Sequence, residues 1–241
     1  MAIRDGLRTL LRPTRGKVSK TVFFLAGVAT ILAYVAPGLL QEPSPLSGTQ
    51  QALLAVELRA AFGRGQLTDS NLPRLSQELA QRFNLPTQLV EEFASERAPR
   101  IRLAGDSLTR GVRLVREGLL EQAQQEFLSA TRNDAEDARG WSNLGACYAL
   151  EARYGEAREA YDRALTLDAQ DAPTRYNFGL LLVRMGNRQD ALPQLRQALS
   201  EMRSQSARRA LLDQAIRELK EAPDLDQLRK EPGFAGLIGG E

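Results

Sequence analysis

Three stretches of this chain repeat one another at a spacing of 34 residues, and no other feature of its 241 residues restricts the fold as much. Leu144, Gly145, Tyr148, Ala157, Tyr161 and Ala164 are followed, 34 positions on, by Phe178, Gly179, Leu182, Ala191, Leu195 and Ala198. The same step backwards reaches Arg110, Gly111, Leu114, Ala123, Phe127 and Ala130, a match at every position except Arg110. A fixed period in the range of roughly 20–50 residues marks stacked units, each too small to bury its own apolar face. The small residues let two helices within a unit approach closely, and the large ones fill the space between helices. Gly118, Gly155 and Gly186 fall near the expected turn between the two helices of each unit.

These motifs resemble the tetratricopeptide repeat family, and Trp141-Ser142-Asn143-Leu144-Gly145 carries the resemblance best. Departures are visible: Ser107 and Arg175 stand where the middle copy has Trp141, and Ala135 and Ala169 replace the usual proline at the repeat ends. The resemblance implies an all-α solenoid of three helix pairs over 104–205. Beyond Ser200 the pattern lapses, because Asp213 falls where a fourth glycine is due. Residues 206–241 are expected to cap the open end: a helix presents Leu211, Leu212, Ala215, Ile216 and Leu219 to the array. Leu225, Leu228, Phe234, Leu237 and Ile238 then tuck back onto that helix.

The family resemblance also implies a binding face, a concave groove lined by the first helix of each pair. Its positions are Leu108, Val112 and Val115 in the first repeat. The second offers Arg139, Ser142, Asn143, Ala146 and Ala149, and the third Tyr176, Asn177, Leu180 and Val183. Asn143 and Asn177 match the asparagines by which family members hold a bound peptide's backbone, since a side-chain amide both donates and accepts. Some members clamp a terminal carboxylate with a lysine and an asparagine of the first repeat and a lysine and an arginine of the third; that clamp is missing, because Leu108 and Val112, then Pro173 and Asn177, occupy those places. A mostly apolar groove remains, suited to an amphipathic helix or an extended apolar segment. Either a partner or the chain's own neck or C-terminal segment could fill it.

The N-terminus has a different character. Residues 1–20 hold six Lys and Arg against Asp5, a charge of +5, which leaves −3 for the rest of a chain whose net charge is +2. Thr21 to Leu40 then runs twenty residues without a charge. A helix of that length covers roughly 30 Å, the hydrocarbon thickness of a bilayer. The segment is longer than the core of a cleaved signal peptide, and Pro37 makes a poor cleavage junction after Tyr34-Val35-Ala36. The expectation is a transmembrane helix at 21–40 that touches the lipid bilayer and leaves the basic tail, 1–20, in the cytoplasm. The repeats would then lie on the far side of a bacterial inner membrane or a similar one.

Residues 41–103 read as a Pro-rich spacer and a helical neck. Helices are expected from near Thr49 to Phe62, from Asn71 to Arg82, and after Asn84-Leu85-Pro86, where Asn84 would cap the third.

Composition excludes several function classes. The chain has no histidine and one cysteine, Cys147. That removes His-assisted hydrolases, Cys/His zinc sites and internal disulfides. The near-balanced charge gives no case for a nucleic-acid partner. Asn133-Asp134-Ala135-Glu136-Asp137 lacks the ligand spacing and glycine of a calcium loop, so no metal is expected there. No phosphate loop, dinucleotide fingerprint or nucleophile elbow is present, so neither cofactor nor catalytic residue is assigned. The expected function is that of a membrane-anchored adaptor, not an enzyme, which binds a protein or peptide segment. Its work would be assembly, stabilisation or chaperoning of a membrane or envelope complex; the alternative is a constitutive structural subunit of such a complex.

Overall fold

A computed structural model describes residues 45–205 and 208–239. The chain divides into two units, 1–50 and 51–241. The described end of the first contains a reciprocal cap. Ser47 N–H donates to Gln50 Oε1 at 2.8 Å, and Gln50 N–H donates to Ser47 Oγ at 3.3 Å. This satisfies two donors that a helix start leaves without partners. The expected span at 21–40 lies outside the described residues. Among the described residues, no helix is long and apolar enough to cross a membrane.

The neck comprises α1 (Gly48–Gly63), α2 (Leu72–Phe83) and the first half of α3 (Thr87–Arg116). Asn84 does not cap α3. It closes α2 in the left-handed conformation, φ 51°, so that Leu85 N–H reaches Ala80 O. Helix α3 runs 30 residues through the expected boundary between 103 and 104 without a break. Gly105 stays helical at the close approach of α1, and Pro99 removes one backbone donor without ending the helix. Neck and first repeat therefore share one rod. Helix α1 packs closely against it: a Cβ on Gly105 would fall 2.1 Å from Phe62 Cε1.

The repeats follow as hairpins: α3 with α4 (Leu120–Asn133), α5 (Ala138–Leu150) with α6 (Tyr154–Leu167), and α7 (Ala172–Arg184) with α8 (Arg188–Ser204). Gly111, Gly145 and Gly179 are the points of closest approach. A Cβ on them would come within 2.5 Å of Phe127, 2.9 Å of Tyr161 and 2.7 Å of Leu195 respectively.

Each hairpin turns on a residue with positive φ: Gly118 at 78°, Ala152 at 58° and Gly186 at 83°. The turn glycine expected in the second repeat was Gly155, but that residue lies inside α6, and Ala152 takes the left-handed position. The three turning residues are spaced by 34, and each is followed by the same backbone bond, Leu119 N–H to Leu114 O, Arg153 N–H to Tyr148 O and Asn187 N–H to Leu182 O. That bond requires the left-handed residue whichever side chain it bears.

The missing tryptophans are explained in the same way. Trp141 Nε1–H donates to Ala135 O at 2.9 Å, and Arg175 Nη2–H donates to Ala169 O, the equivalent carbonyl 34 residues on. A guanidinium thus performs the indole's link to the preceding turn. In the first repeat Ser107 is buried and bonds to Ser129 Oγ at 3.3 Å instead.

At the C-terminal end, α9 (Arg209–Glu221), the single turns Pro223–Leu225 and α10 (Asp226–Arg229), and α11 (Phe234–Gly239) cover the third repeat. Ala215, Leu219, Leu225, Leu228, Phe234 and Leu237 are buried in one cluster with Tyr176, Leu180 and Leu199. Leu211 departs from expectation. It is 46% exposed, not buried against the array.

Candidate functional site

Helices α3, α5 and α7 lie side by side, so their free faces form one surface. The residues expected on it divide into two groups. Leu108, Ser142 and Tyr176 occupy equivalent places in successive repeats, and they form a seam with the next helix instead of lining an open face. Leu108 is 7% exposed and packs in a cluster with Leu144 and Cys147. Ser142 Oγ lies 2.6 Å from Thr174 Oγ1 on α7. Tyr176 OH donates to Ala215 O at 3.2 Å and to Glu218 Oε2 at 3.0 Å on α9. Burial, and then the charge of Glu218, push the Tyr176 pKa above the usual tyrosine value, so the hydroxyl remains a donor.

Leu180 and Val183 are also buried, within the cluster that the C-terminal helices complete. The groove positions expected at Leu108, Tyr176 and Leu180 are therefore packing residues. The cause is the same in each case: the following helix, or α9 in its place, lies over them.

The second group remains available. Val112 is 36% exposed, and Val115, Asn143, Ala146, Ala149 and Asn177 are partly exposed. Among the described residues, no hydrogen bond engages the side-chain amide of Asn143 or Asn177. Arg139 is exposed but occupied, because Asp137 accepts from its Nε and Nη2, the latter at 2.7 Å. Sequence reasoning missed Leu150, which is 58% exposed. It lies one helical turn beyond Ala146, and that spacing could have located it.

The acidic turn before α5 is fully engaged. Arg59 takes both oxygens of Asp134 and reaches Glu136 Oε2 at 3.3 Å, while Asp137 caps α5 by accepting from Arg139 N–H. No group of side chains suited to a metal ion occurs among the described residues. Cys147 is buried, and burial, with the nearby Glu151 charge, pushes its thiol up to about 11. It is a packing residue and a poor nucleophile near neutral pH.

Residues 136–203 match the family model described as tetratricopeptide repeat. Over that stretch the chain is similar to tetratricopeptide repeats. The hairpin of α3 and α4 precedes the matched residues and packs by the same close glycine contact, Gly111 on Phe127. A curated relative, Superkiller protein 3 of Schizosaccharomyces pombe (strain 972 / ATCC 24843), is 36% identical over 74 residues. The match takes in 31% of this chain and 5% of that protein, so the chain spans about a twentieth of its relative's length.

Similar solved structures include PcrH in complex with the chaperone binding region of PopD, with a TM-score of 0.45 and 22% identity over 48% of this chain and 87% of that one. The type III secretion translocator chaperone SycD of Yersinia enterocolitica has a TM-score of 0.45 and 19% identity, over 48% of this chain and 80% of that one. The TPR2B domain of yeast Sti1, in its complex with pHsp70, has a TM-score of 0.43 and 21% identity, over 47% and 92%.

Proposed function

We propose that this chain is a protein-binding scaffold that receives a segment of a partner along the free face of its repeats, from Val112 in the first to Asn177 in the third. The observation that carries this reading is the pair Asn143 and Asn177. They are equivalent amides 34 residues apart, partly exposed, with no hydrogen bond from the described residues. Val112, Val115, Ala146 and Leu150, apolar and partly or well exposed, stand on the first helices of the first two repeats. Amides that can both donate and accept, set along apolar side chains, suit a peptide backbone carrying apolar residues. Binding of this kind needs neither metal nor nucleophile.

The uncharged run at 21–40 and the basic tail before it support membrane attachment, with the tail cytoplasmic and the repeats on the opposite side. An anchored face meets membrane-bound partners at a raised effective concentration, which fits a role in assembling, stabilising or chaperoning a membrane or envelope complex. The direct test is purification of the full chain from detergent-solubilised membranes, comparing wild type with Val112→Glu. The variant should lose a co-purifying protein that the wild type retains; equal retention by both would remove the face from the account. A reporter fused at Ser47 tests the topology, and cytoplasmic reporter activity there would reverse it.

A further inference from the structure

Where α9 crosses the end of the third repeat, it leaves a pocket of about 210 Å³ beside Asn177. Its composition differs from that of the open face. Pro173, Met202 and Leu211 supply an apolar wall, and Gln214 and Glu218 line the pocket from α9. Glu218 is the only charged side chain in the lining. It makes no ion pair with any described residue, and Tyr176 OH fixes its carboxylate through Oε2 at 3.0 Å. The other carboxylate oxygen has no hydrogen-bond partner among the described residues. The site thus offers a negative charge held in place, an apolar path leading to it, and two amides at the entrance.

We propose that this pocket binds a lysine or arginine side chain, and that the partner segment is selected for carrying one. The methylene stem lies along Pro173, Met202 and Leu211, and the cation meets the free oxygen of Glu218. Asn177 and Gln214 take the flanking backbone. Long cationic side chains place an apolar stem against apolar surface and keep the charge at a polar end, which is the division this pocket presents. An aliphatic side chain would leave the carboxylate unpaired, and an acidic one would be repelled by it. The inference rests on the proposed function only in taking the ligand to be a protein segment; the pocket's preference for a cation does not depend on it.

The chain has three methionines, Met1, Met185 and Met202, and only Met202 lines the pocket. Methyl-13C-methionine NMR of the full chain in detergent therefore reports on this site. Titration with Nα-acetyl-lysine N-methylamide should move the Met202 methyl signal along a saturating curve. The norleucine analogue should bind at least tenfold more weakly, and Glu218→Gln should lose the lysine preference. Glu218→Gln keeps an oxygen to accept from Tyr176, so the fold is retained, which an unchanged Met185 signal verifies. Tyr176→Phe, which frees the carboxylate from its positioning bond, should weaken binding severalfold. A Met202 signal that does not saturate, equal binding of the norleucine analogue, or lysine preference surviving in Glu218→Gln would each overturn the proposal. A pocket that takes the lysine probe in a chain that binds no protein would leave the pocket's cation preference standing and remove the proposed function, with the selection of a partner segment that rests on it.

Discussion

Arg59 and Asp134 form a two-point ion pair, Nε to Oδ2 at 2.6 Å and Nη2 to Oδ1 at 2.7 Å. It joins the first neck helix to the turn that opens the second repeat. Asp134 is 3% exposed and Arg59 14%, and the Asp134 charge depends on Arg59 for compensation. Burial works against the Arg59 charge, but hydrogen bonding to Asp134 and the surrounding carboxylates outweigh it, leaving its pKa above the usual arginine value. Replacing Arg59 with Met leaves a buried carboxylate unpaired and should cost about 3–5 kcal/mol of stability. The exposed pair Arg74–Glu78 gives the contrast: Arg74→Ala should change stability by less than about 0.5 kcal/mol. Urea unfolding of the two variants measures the difference.

Glycine and alanine exchanges should have opposite signs at three neighbouring positions of the second repeat. Gly145→Ala drives a methyl group into Tyr161 and should destabilise by about 1–2 kcal/mol, the overpacking cost less the gain in helix propensity. Gly155→Ala meets open space inside α6 and should stabilise by about 0.5–1 kcal/mol. Ala152→Gly relieves a left-handed alanine and should stabilise by about 0.5–1 kcal/mol. Thermal or urea unfolding of the three variants decides the signs.

The buried thiol sets an alkaline limit on stability. The fold raises the Cys147 pKa from 9.0 to about 11, so it favours the protonated form. The associated stability is complete below pH 9 and is lost as pH rises towards 11. Stability measured from pH 8 to 11 should fall over that window, and Cys147→Ala should lessen the fall. At pH 7.5 a maleimide should label the native chain far more slowly than the urea-unfolded one. Equal labelling rates would show the thiol to be accessible.

The legible and illegible parts of this fold separate on physical grounds. Hairpins were legible because Gly145 against Tyr161 and Gly179 against Leu195 are contacts between residues at fixed offsets in the chain. The left-handed turn at Ala152 was hidden because its side chain gives no sign of it and Gly155 nearby drew the assignment. Leu108, Tyr176 and Leu180 carry no mark that distinguishes a seam from an open face; that depends on the next helix. The third repeat is covered by a helix outside the 34-residue pattern, which is also why Glu218 was overlooked. The run through 103 and 104 was missed because a boundary between repeats need not interrupt a helix.

The central claim, that a partner segment lies on the free face of the repeats, is tested most directly by site-specific photocrosslinking. A photoreactive residue at Asn143 in the full chain, activated in intact cells, should give an intermolecular adduct. The same residue at Leu180, beneath the C-terminal helices, should give only links to residues 208–239. If Asn143 also yielded only intrachain links, to residues 45–100 or 208–239, the face would be occupied by the protein itself, and the account of it as a scaffold would be contradicted.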